Sequence, residues 1–322
     1  MRRREFIGGL GVAACRAGAE ARVPVVGYLA LGTIGGARVF TAAFLRGLGE
    51  QGYIEGRNVE ILYQSAENRY ARLPMLAAEL VRRPVAVIFA AGGSGVALNA
   101  KSATSTIPIV FVAGGGPVDL GLVASLNHPG SNVTGVSILT AESLAKRLEL
   151  LREIVPATTL IGFLVNPTNP AVGVSNKEAE TAARTLGLRL ATLNASTPSE
   201  IEAAFSTLAM RRMSALLVDG DPLWTVQRNQ LAELGARHAV AAIYPVRDIV
   251  EAGGFVSYGA SISDAYRLAG TYVGRILSGE KPSDLPVQQS VRIELVLNLK
   301  TAKAIGVTIP ETFFVRADEV IE

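Results

Sequence analysis

The chain has 322 residues, of which 49% are hydrophobic and 18% are charged, and a net charge of +3; this composition excludes a disordered chain, a coiled coil and a collagen-like repeat. Because a domain commonly has about 150 residues, the length predicts two lobes or one unusually large α/β domain. The chain has one Cys and two His, which excludes an intramolecular disulfide and a zinc cluster. No Lys/Arg-rich run occurs after residue 22, which argues against a nucleic-acid partner.

The first 21 residues have the pattern of a secretory signal peptide. Arg2, Arg3 and Arg4 precede a short apolar stretch from Ile7 to Cys15, and small residues suited to cleavage follow it. The string Arg3-Arg4-Glu5-Phe6-Ile7 resembles a twin-arginine signal. We predict a signal segment at 1–21 and a periplasmic protein exported by that route. Lipid anchoring at Cys15 and an ordinary first helix remain the alternatives for this segment.

The rest of the chain alternates short strands with amphipathic helices, which is typical of parallel βαβ construction. The first half has predicted strands at Val25–Leu29, Val59–Tyr63, Val85–Ala90, Ile109–Val112 and Val133–Ile138. The second half has predicted strands at Leu160–Val165, Arg189–Leu193, Ala215–Val218, Ala242–Tyr244 and Phe255–Tyr258. We therefore predict an α/β fold of two doubly wound parallel-sheet lobes, with a cleft between the carboxyl ends of their strands.

Two helices carry clear apolar stripes, and a third segment joins the two halves. The first stripe is Phe40, Ala43, Phe44, Gly47 and Leu48, and the second is Ile262, Ala265, Tyr266, Ala269, Val273, Ile276 and Leu277. Each stripe follows the spacing of one buried helix face. The joining segment, 141–155, is predicted to bury Leu144, Leu148, Leu151 and Val155.

The sequence lacks the common catalytic and nucleotide-binding motifs. The segment from Gly27 to Gly32 does not match the dinucleotide fingerprint, and the chain contains no P-loop. Gly92-Gly93-Ser94-Gly95-Val96 departs from the G-x-S-x-G pattern of hydrolases at Val96. His128 lies in a turn and His238 near a helix end, where structural roles explain both. We predict no catalytic residue, no cofactor and no metal site.

The loops of the predicted cleft carry groups that suit reversible binding. Gly93 and Ser94 lie between a strand and a helix, where backbone N–H groups and a hydroxyl suit a carboxylate or another anion. The alternative for Ser94 is simple helix capping. Asn166 and Thr168 follow the first strand of the second lobe, and the alternative for them is an ordinary proline-rich turn.

Two acidic and two aromatic residues also end strands of the second lobe. Asp221 is a candidate to pair with a ligand ammonium or hydroxyl group, and helix capping is its alternative. Asp219 is a second ligand-binding candidate beside it. Tyr244 and Tyr258 are candidates to stack on a ligand or to bond through their hydroxyls. Core packing is expected for at least one of Tyr244, Tyr258 and Trp224.

Several strings together resemble a known family. They are Val25-Val26-Gly27-Tyr28-Leu29, Tyr53-Ile54-Glu55-Gly56-Arg57-Asn58-Val59, Ile107-Pro108-Ile109-Val110-Phe111-Val112, Gly121-Leu122-Val123-Ala124-Ser125-Leu126, Asn132-Val133-Thr134-Gly135-Val136, Asn166-Pro167-Thr168-Asn169-Pro170 and Tyr258-Gly259. From about residue 24 to the C-terminus, the chain resembles the ABC-transporter substrate-binding proteins related to tryptophan- and tyrosine-binding components.

The resemblance implies a type I periplasmic-binding-protein fold with three crossover segments. The implied lobes are 24–139 plus 260–281 and 140–259 plus 282–322, with the helix after Ser261 returning to the first lobe and the segment after Pro286 rejoining the second. It implies that the lobes close on a small solute and deliver it to ABC permease subunits, without catalysis. We expect a monomer. A sensory or regulatory module of the same fold is the first alternative, and a doubly wound enzyme is the second.

The resemblance also implies site residues and a substrate class. Asn166 and Asp221 occupy motif positions that face the ligand, and Ser94 lies in the matching loop of the first lobe. Members of the family often have a small residue in place of Asp219, and many have a Ser-bearing loop in place of Ala30-Leu31-Gly32. The expected solute is an amino acid or a related carboxylate.

Overall fold

The computed structural model describes residues 23–322 apart from 115, 139, 140 and 291. The predicted signal segment at 1–21, with its twin-arginine string and Cys15, lies outside the described residues.

The described residues form two β-sheets, and all ten predicted strands are present to within two residues at each end. The strands are β1 Val25–Ala30, β2 Glu60–Ser65, β3 Val87–Ala91, β4 Ile109–Ala113, β5 Val133–Ile138, β6 Leu160–Val165, β7 Arg189–Asn194, β8 Ala215–Val218, β9 Ala241–Tyr244, β10 Val256–Ala260, β11 Gln288–Ser290, β12 Ile293–Asn298 and β13 Glu319–Ile321. The last three strands were not predicted. Two of them are only three residues long, too short to show a periodic pattern.

Helices connect the strands along the chain. They are α1 Arg38–Glu50, α2 Leu73–Val81, α3 Ser94–Ala103, α4 Ala141–Ile154, α5 Val172–Thr185, α6 Pro198–Met210, α7 Pro222–Val226, α8 Arg228–Arg237, α9 Arg247–Glu251, α10 Ile262–Leu277, α11 Leu299–Ala304 and α12 Glu311–Arg316, with short 3-10 turns at Tyr70–Arg72 and Pro282–Asp284. No helix in the described part of the chain combines the length and the hydropathy that crossing a membrane requires.

The two sheets form two α/β lobes of the type I periplasmic-binding-protein fold. The first sheet is parallel, with strand order β11-β5-β4-β3-β1-β2. The second has the order β13-β12-β10-β9-β8-β6-β7, and β12 runs antiparallel to β10. Strands β3 and β4 are buried along their whole length, as expected where helices cover both faces of a parallel sheet.

Helices α1 and α10 pack against each other on the first sheet with unusually close backbones. A Cβ atom added to Gly47 of α1 would lie 1.8 Å from the carbonyl oxygen of Arg267, and one added to Gly270 of α10 would lie 2.1 Å from that of Phe44. Any larger residue would therefore force the helices apart. This contact places α10 in the first lobe, although β10, immediately before it, belongs to the second sheet.

The second-lobe boundary predicted at residue 282 needs correction. Strand β11 pairs in parallel with β5, from Gln288 beside Val136 to Ser290 beside Ile138. The hydroxyl of Thr134 in β5 also donates a hydrogen bond of 2.6 Å to the carbonyl of Leu285. Residues 282–290 therefore belong to the first lobe, where Leu285 and Val287 are also buried in its apolar clusters. The chain crosses between lobes from β5 to α4, from β10 to α10 and from β11 to β12.

Candidate functional site

A cavity of about 160 Å³ lies between the carboxyl ends of the strands of the two sheets. On the first lobe it is lined by residues that end or follow β1, β3 and β4, among them Ala30, Gly93 and Gly114. On the second lobe it is lined by residues after β8 and β9, including Asp219 and Pro245. This is the location that the strand order predicts, because the loops at these strand ends face the gap between the lobes.

Ser94 and Gly93 lie at the first-lobe wall of this cavity, at the start of α3. Gly93 has a φ of 93°, a left-handed conformation that favours glycine. The buried hydroxyl of Ser94 donates a hydrogen bond of 2.5 Å to the carbonyl of Gly114, and the N-cap position of the helix is occupied by Gly93. The first N–H groups of a helix have no acceptor within it and carry partial positive charge, so this wall suits an anionic group.

Asp221 lies at the second-lobe wall and accepts four hydrogen bonds from the protein. One oxygen accepts from the backbone N–H of Leu223 at 2.8 Å and from the amide of Asn166 at 3.2 Å. The other accepts from the amide of Asn169 at 2.8 Å and from the hydroxyl of Tyr70, in the first lobe, at 3.2 Å. Burial raises the pKa of Asp221 to about 6, although the bonds from Leu223, Asn166 and Asn169 act to lower it. Its carboxylate both caps α7 and faces the cleft.

Asn166 and Thr168 do not line the cavity. Asn166 bonds to Asp221, and Thr168 in turn bonds to Asn166. The buried side-chain oxygen of Asn166 accepts hydrogen bonds from the N–H of Thr168 at 3.1 Å and from its hydroxyl at 2.8 Å. Thr168 itself is exposed. The direct ligand contacts predicted for both residues therefore do not fit this geometry. Their neighbour Asn169 does line the cavity.

Asp219 lines the cavity together with Arg147, a residue that the sequence analysis missed. Arg147 is only 1% exposed, and its guanidinium donates a hydrogen bond to the carbonyl of Val218. Burial lowers the pKa of Arg147 to about 10, against the opposing effect of the Asp219 charge. Burial raises the pKa of Asp219, while the Gly220 N–H, the Arg147 charge and a hydrogen bond with Ser175 act to lower it.

The sequence contains a signal that would have identified Arg147. It lies three residues after Leu144 and four before Leu151, so it falls on the apolar stripe of α4. Arginine is almost never fully buried unless it has a partner. An arginine on a stripe that packs against the core therefore indicates a buried charged group with a specific partner.

The apolar part of the cavity wall comes from aromatic residues of the first lobe. Tyr28 of β1, Phe40 of α1 and Tyr266 of α10 all line it. The ring centroids of Phe40 and Tyr266 lie 5.4 Å apart, and that of Tyr266 lies 5.5 Å from Phe89. The stripes of α1 and α10 predicted that Phe40 and Tyr266 are buried, but periodicity alone did not distinguish core positions from cavity positions.

The structure corrects the predicted roles of Tyr244 and Tyr258, because neither lines the cavity. Tyr244 is 1% exposed, and its hydroxyl donates to the carbonyl of Leu231 at 3.3 Å within the core of the second lobe. Trp224 is buried in the same apolar cluster, so the core packing expected for at least one of these residues is observed. Tyr258 packs against the cluster on the other face of that sheet. Both tyrosines point into helix-covered faces of the sheet instead of beyond its strand ends.

Comparison with known proteins gives one family and several relatives. The family model described as ABC transporter substrate binding protein matches residues 38–321. A tyrosine-binding protein of Clostridioides difficile (strain R20291) is 28% identical over 262 residues, which cover 81% of this chain and 75% of that protein.

Two solved structures share the fold over nearly the whole chain. A structure from Streptococcus pneumoniae in complex with L-Trp has a TM-score of 0.84 and 24% identity, and the match covers 92% of this chain and 99% of that one. The ligand-free, open structure of a substrate binding protein with adhesive properties from Clostridium difficile has a TM-score of 0.65 and 25% identity, and the match covers 93% and 99% of the two chains.

Proposed function

We propose that this chain, which belongs to the family of ABC transporter substrate-binding proteins, binds a zwitterionic amino acid with a large apolar side chain. It delivers that amino acid to a permease for import. Its relatives are solute-binding proteins and not enzymes. Membership of the family implies a small-molecule ligand and membrane permease partners. The observation that carries the proposal is the set of charged side chains at the cavity.

Both signs of charge line the cavity. Of the described residues that line it, those with charged side chains are Arg147, Asp219 and Asp221. A ligand with two carboxylates would meet a wall with more negative than positive side chains. A zwitterion places its ammonium at the acidic second-lobe wall and its carboxylate at the N-terminus of α3, where partial positive charge collects. Each ligand charge then has a partner, which matters because an unpaired buried charge is costly.

The hydrogen bonds of the two aspartates indicate which one is left to hold the ligand ammonium. A carboxylate has about four acceptor positions, and the protein itself supplies four donors to Asp221. We therefore assign the ammonium to Asp219, whose pKa is raised chiefly by burial and which gains a cationic partner when the ligand binds. We assign the carboxylate to the backbone N–H groups that begin with Ser94 at the N-terminus of α3, where partial positive charge collects, because the Ser94 hydroxyl already donates its one proton to Gly114.

The aromatic wall supports a large apolar side chain. Tyr28, Phe40 and Tyr266 present ring surface to the cavity, and aromatic pairs attract each other beyond the effect of area burial. The cavity of about 160 Å³ is well above the roughly 10–15 Å³ that one water needs, so it has room for a small organic solute. The names of the tyrosine-binding relative and of the L-Trp complex support this choice of ligand.

A thermal-unfolding panel tests the proposal. The protein is unfolded with L-tyrosine, L-tryptophan, L-phenylalanine, L-leucine and L-glutamate, and with two analogues of tyrosine that lack one charge: tyramine, without the carboxylate, and 3-(4-hydroxyphenyl)propionate, without the ammonium. A ligand at 100 times its Kd adds about 2.7 kcal/mol of stability. We expect that effect from at least one aromatic amino acid and a much smaller one from both analogues.

Two results would contradict this assignment. Stabilisation by L-glutamate that equals or exceeds that by every aromatic amino acid would contradict the proposed ligand class. Equal stabilisation by the analogue without an ammonium group would contradict the role of Asp219. Replacing Asp219 by Asn should remove the preference for the zwitterion over that analogue, because the carboxylate that distinguishes them is gone.

The proposed site of action is the periplasm. Substrate-binding proteins of this family are extracytoplasmic, and the twin-arginine string within residues 1–21 supports export by the corresponding route. Fractionation of cells that express the chain with Arg3 and Arg4 replaced by Lys tests this route. We expect the unprocessed protein to accumulate inside, and normal export of that variant would contradict the proposal.

A further inference from the structure

We propose that Tyr70 is a positioning residue that holds the two lobes closed, through the hydrogen bond that its hydroxyl donates to Asp221 across the cleft. Asp221 then serves closure and not direct contact with the ligand. This inference rests on the proposed function, because it concerns how the same cavity retains its solute.

The two residues belong to different lobes. Tyr70 opens the 3-10 turn Tyr70–Arg72 between β2 and α2 of the first lobe, and Asp221 lies between β8 and α7 of the second. Their oxygen atoms are 3.2 Å apart. Because the two residues lie in lobes that are built on separate sheets, a movement that opens the cleft separates this pair while each lobe stays intact.

Asp221 is held in place by its own lobe before Tyr70 reaches it. Three of its donors, the Leu223 N–H and the amides of Asn166 and Asn169, come from the second lobe. They fix the orientation of the carboxylate in the open as well as the closed state. The fourth donor arrives only on closure, so its contribution favours the closed state alone.

The first lobe is shaped to admit the Tyr70 ring at this contact. A Cβ atom added to Gly95 would lie 2.6 Å from a ring carbon of Tyr70 and 3.4 Å from Pro170 of the second lobe. One added to Gly93 would lie 3.6 Å from Pro222, also of the second lobe. The lack of a side chain at Gly95 therefore lets the Tyr70 ring come close to the first turn of α3, and the opposite lobe lies within contact distance of the same turn.

The Tyr70 hydroxyl stays protonated and remains a donor. Burial raises its pKa further above the ordinary value, and the neighbouring charge of Asp221 raises it again. A protonated hydroxyl that donates to a carboxylate forms a charge-assisted hydrogen bond, which is stronger than a bond between neutral groups.

The substitution Tyr70→Phe tests the role directly, since it removes the hydroxyl and keeps the ring against Gly95. Tyr53→Phe is the matched control, because the Tyr53 hydroxyl contacts the Ser278 hydroxyl at 3.3 Å on the surface of the first lobe. Dissociation of L-tyrosine and L-tryptophan is measured by stopped-flow fluorescence. We expect Tyr70→Phe to speed dissociation about ten-fold, the order of magnitude for losing a hydrogen bond to a charged acceptor, and Tyr53→Phe to leave it unchanged.

Two further measurements separate closure from general stability and from ligand identity. Urea unfolding of the ligand-free protein should give nearly the same free energy for Tyr70→Phe as for wild type, because without ligand the bond forms only in a minor closed population. Spin labels at Met75→Cys and Met210→Cys, exposed positions on different lobes, report the distance between the lobes with the native Cys15 replaced by Ser. We expect Tyr70→Phe to lower the short-distance population.

The outcomes distinguish the two proposals. If neither amino acid binds the wild-type protein, the proposed ligand is wrong, and the distance measurement still tests the role of Tyr70. If wild type binds but Tyr70→Phe matches it in dissociation rate and in distance distribution, the closure role is refuted. If Tyr70→Phe lowers the ligand-free unfolding free energy as much as it lowers affinity, its role is structural and the inference is also refuted.

Discussion

Removing the positive charge of Arg147 should destabilise the ligand-free protein strongly. The substitution Arg147→Met keeps most of the side-chain length and removes the guanidinium from a position that is 1% exposed. Two groups then lose a partner: the carbonyl of Val218, which accepts a hydrogen bond from it, and the buried Asp219, which loses a nearby positive charge. We expect a loss of about 3–5 kcal/mol, the magnitude for a buried charge from which the compensating charge is removed.

The loss should depend on pH, with a sign that follows from Asp219. Burial already raises the folded-state pKa of Asp219 above its ordinary 3.8, and removing Arg147 raises it further. An acid with a raised folded-state pKa contributes stability that is fully present below the unfolded pKa and is lost as pH rises through the folded value. The difference between Arg147→Met and wild type should therefore be larger at pH 7 than at pH 4, where a protonated Asp219 leaves mainly the cost of the unpaired Val218 carbonyl.

Urea unfolding at the two pH values measures this difference, and a double variant supplies the control. In Arg147→Met with Asp219→Asn the uncompensated carboxylate is gone, so at least half of the lost free energy should return at pH 7. If the two substitutions add independently, or if Arg147→Met costs the same at pH 4 as at pH 7, the assigned pairing of Arg147 with Asp219 is wrong.

Two further predictions concern packing and the corrected site. Gly47→Ala should destabilise the protein by about 1–3 kcal/mol by overpacking, because its Cβ would lie 1.8 Å from the Arg267 carbonyl oxygen. The control is Gly49→Ala in the same helix, whose Cβ meets nothing within 4 Å and which should be neutral or stabilising by up to about 1 kcal/mol. Equal urea midpoints for the two variants would refute the close α1–α10 contact. Tyr244→Phe removes a buried hydroxyl that donates to the Leu231 carbonyl and should lower the free energy of unfolding by about 0.5–1.5 kcal/mol. Ligand affinity, measured by titration calorimetry, should stay unchanged. Weaker binding at unchanged stability would restore Tyr244 to the site.

Much of the fold was predictable because its elements carry local patterns. Apolar runs such as Ile109–Ala113 are buried along their whole length, and runs of this kind indicate covered parallel strands from sequence alone. Strand β11 was missed because Gln288–Ser290 has no apolar periodicity and is held by backbone pairing with β5. Such pairing depends on residues far apart in the chain, which local patterns do not report.

The candidate site was predictable in position but only partly in membership. Ser94, Asp219 and Asp221 follow strands, and all three line the cavity, because strand ends determine where the cleft lies. The same rule failed for Tyr244, since the last residue of a strand can point into a helix-covered face. Tyr70 gave no local signal, because its role depends on a contact with the opposite lobe.

A crystal structure of the protein grown with L-tyrosine or L-tryptophan tests the central claim most directly. We predict density for the amino acid between the lobes, with its ammonium nitrogen within hydrogen-bond distance of the Asp219 carboxylate and its carboxylate at Ser94 and the first turn of α3. Its ring should lie against Phe40 and Tyr266. A ligand bound outside this cavity, or one whose carboxylate instead of its ammonium faces Asp219, would contradict the account.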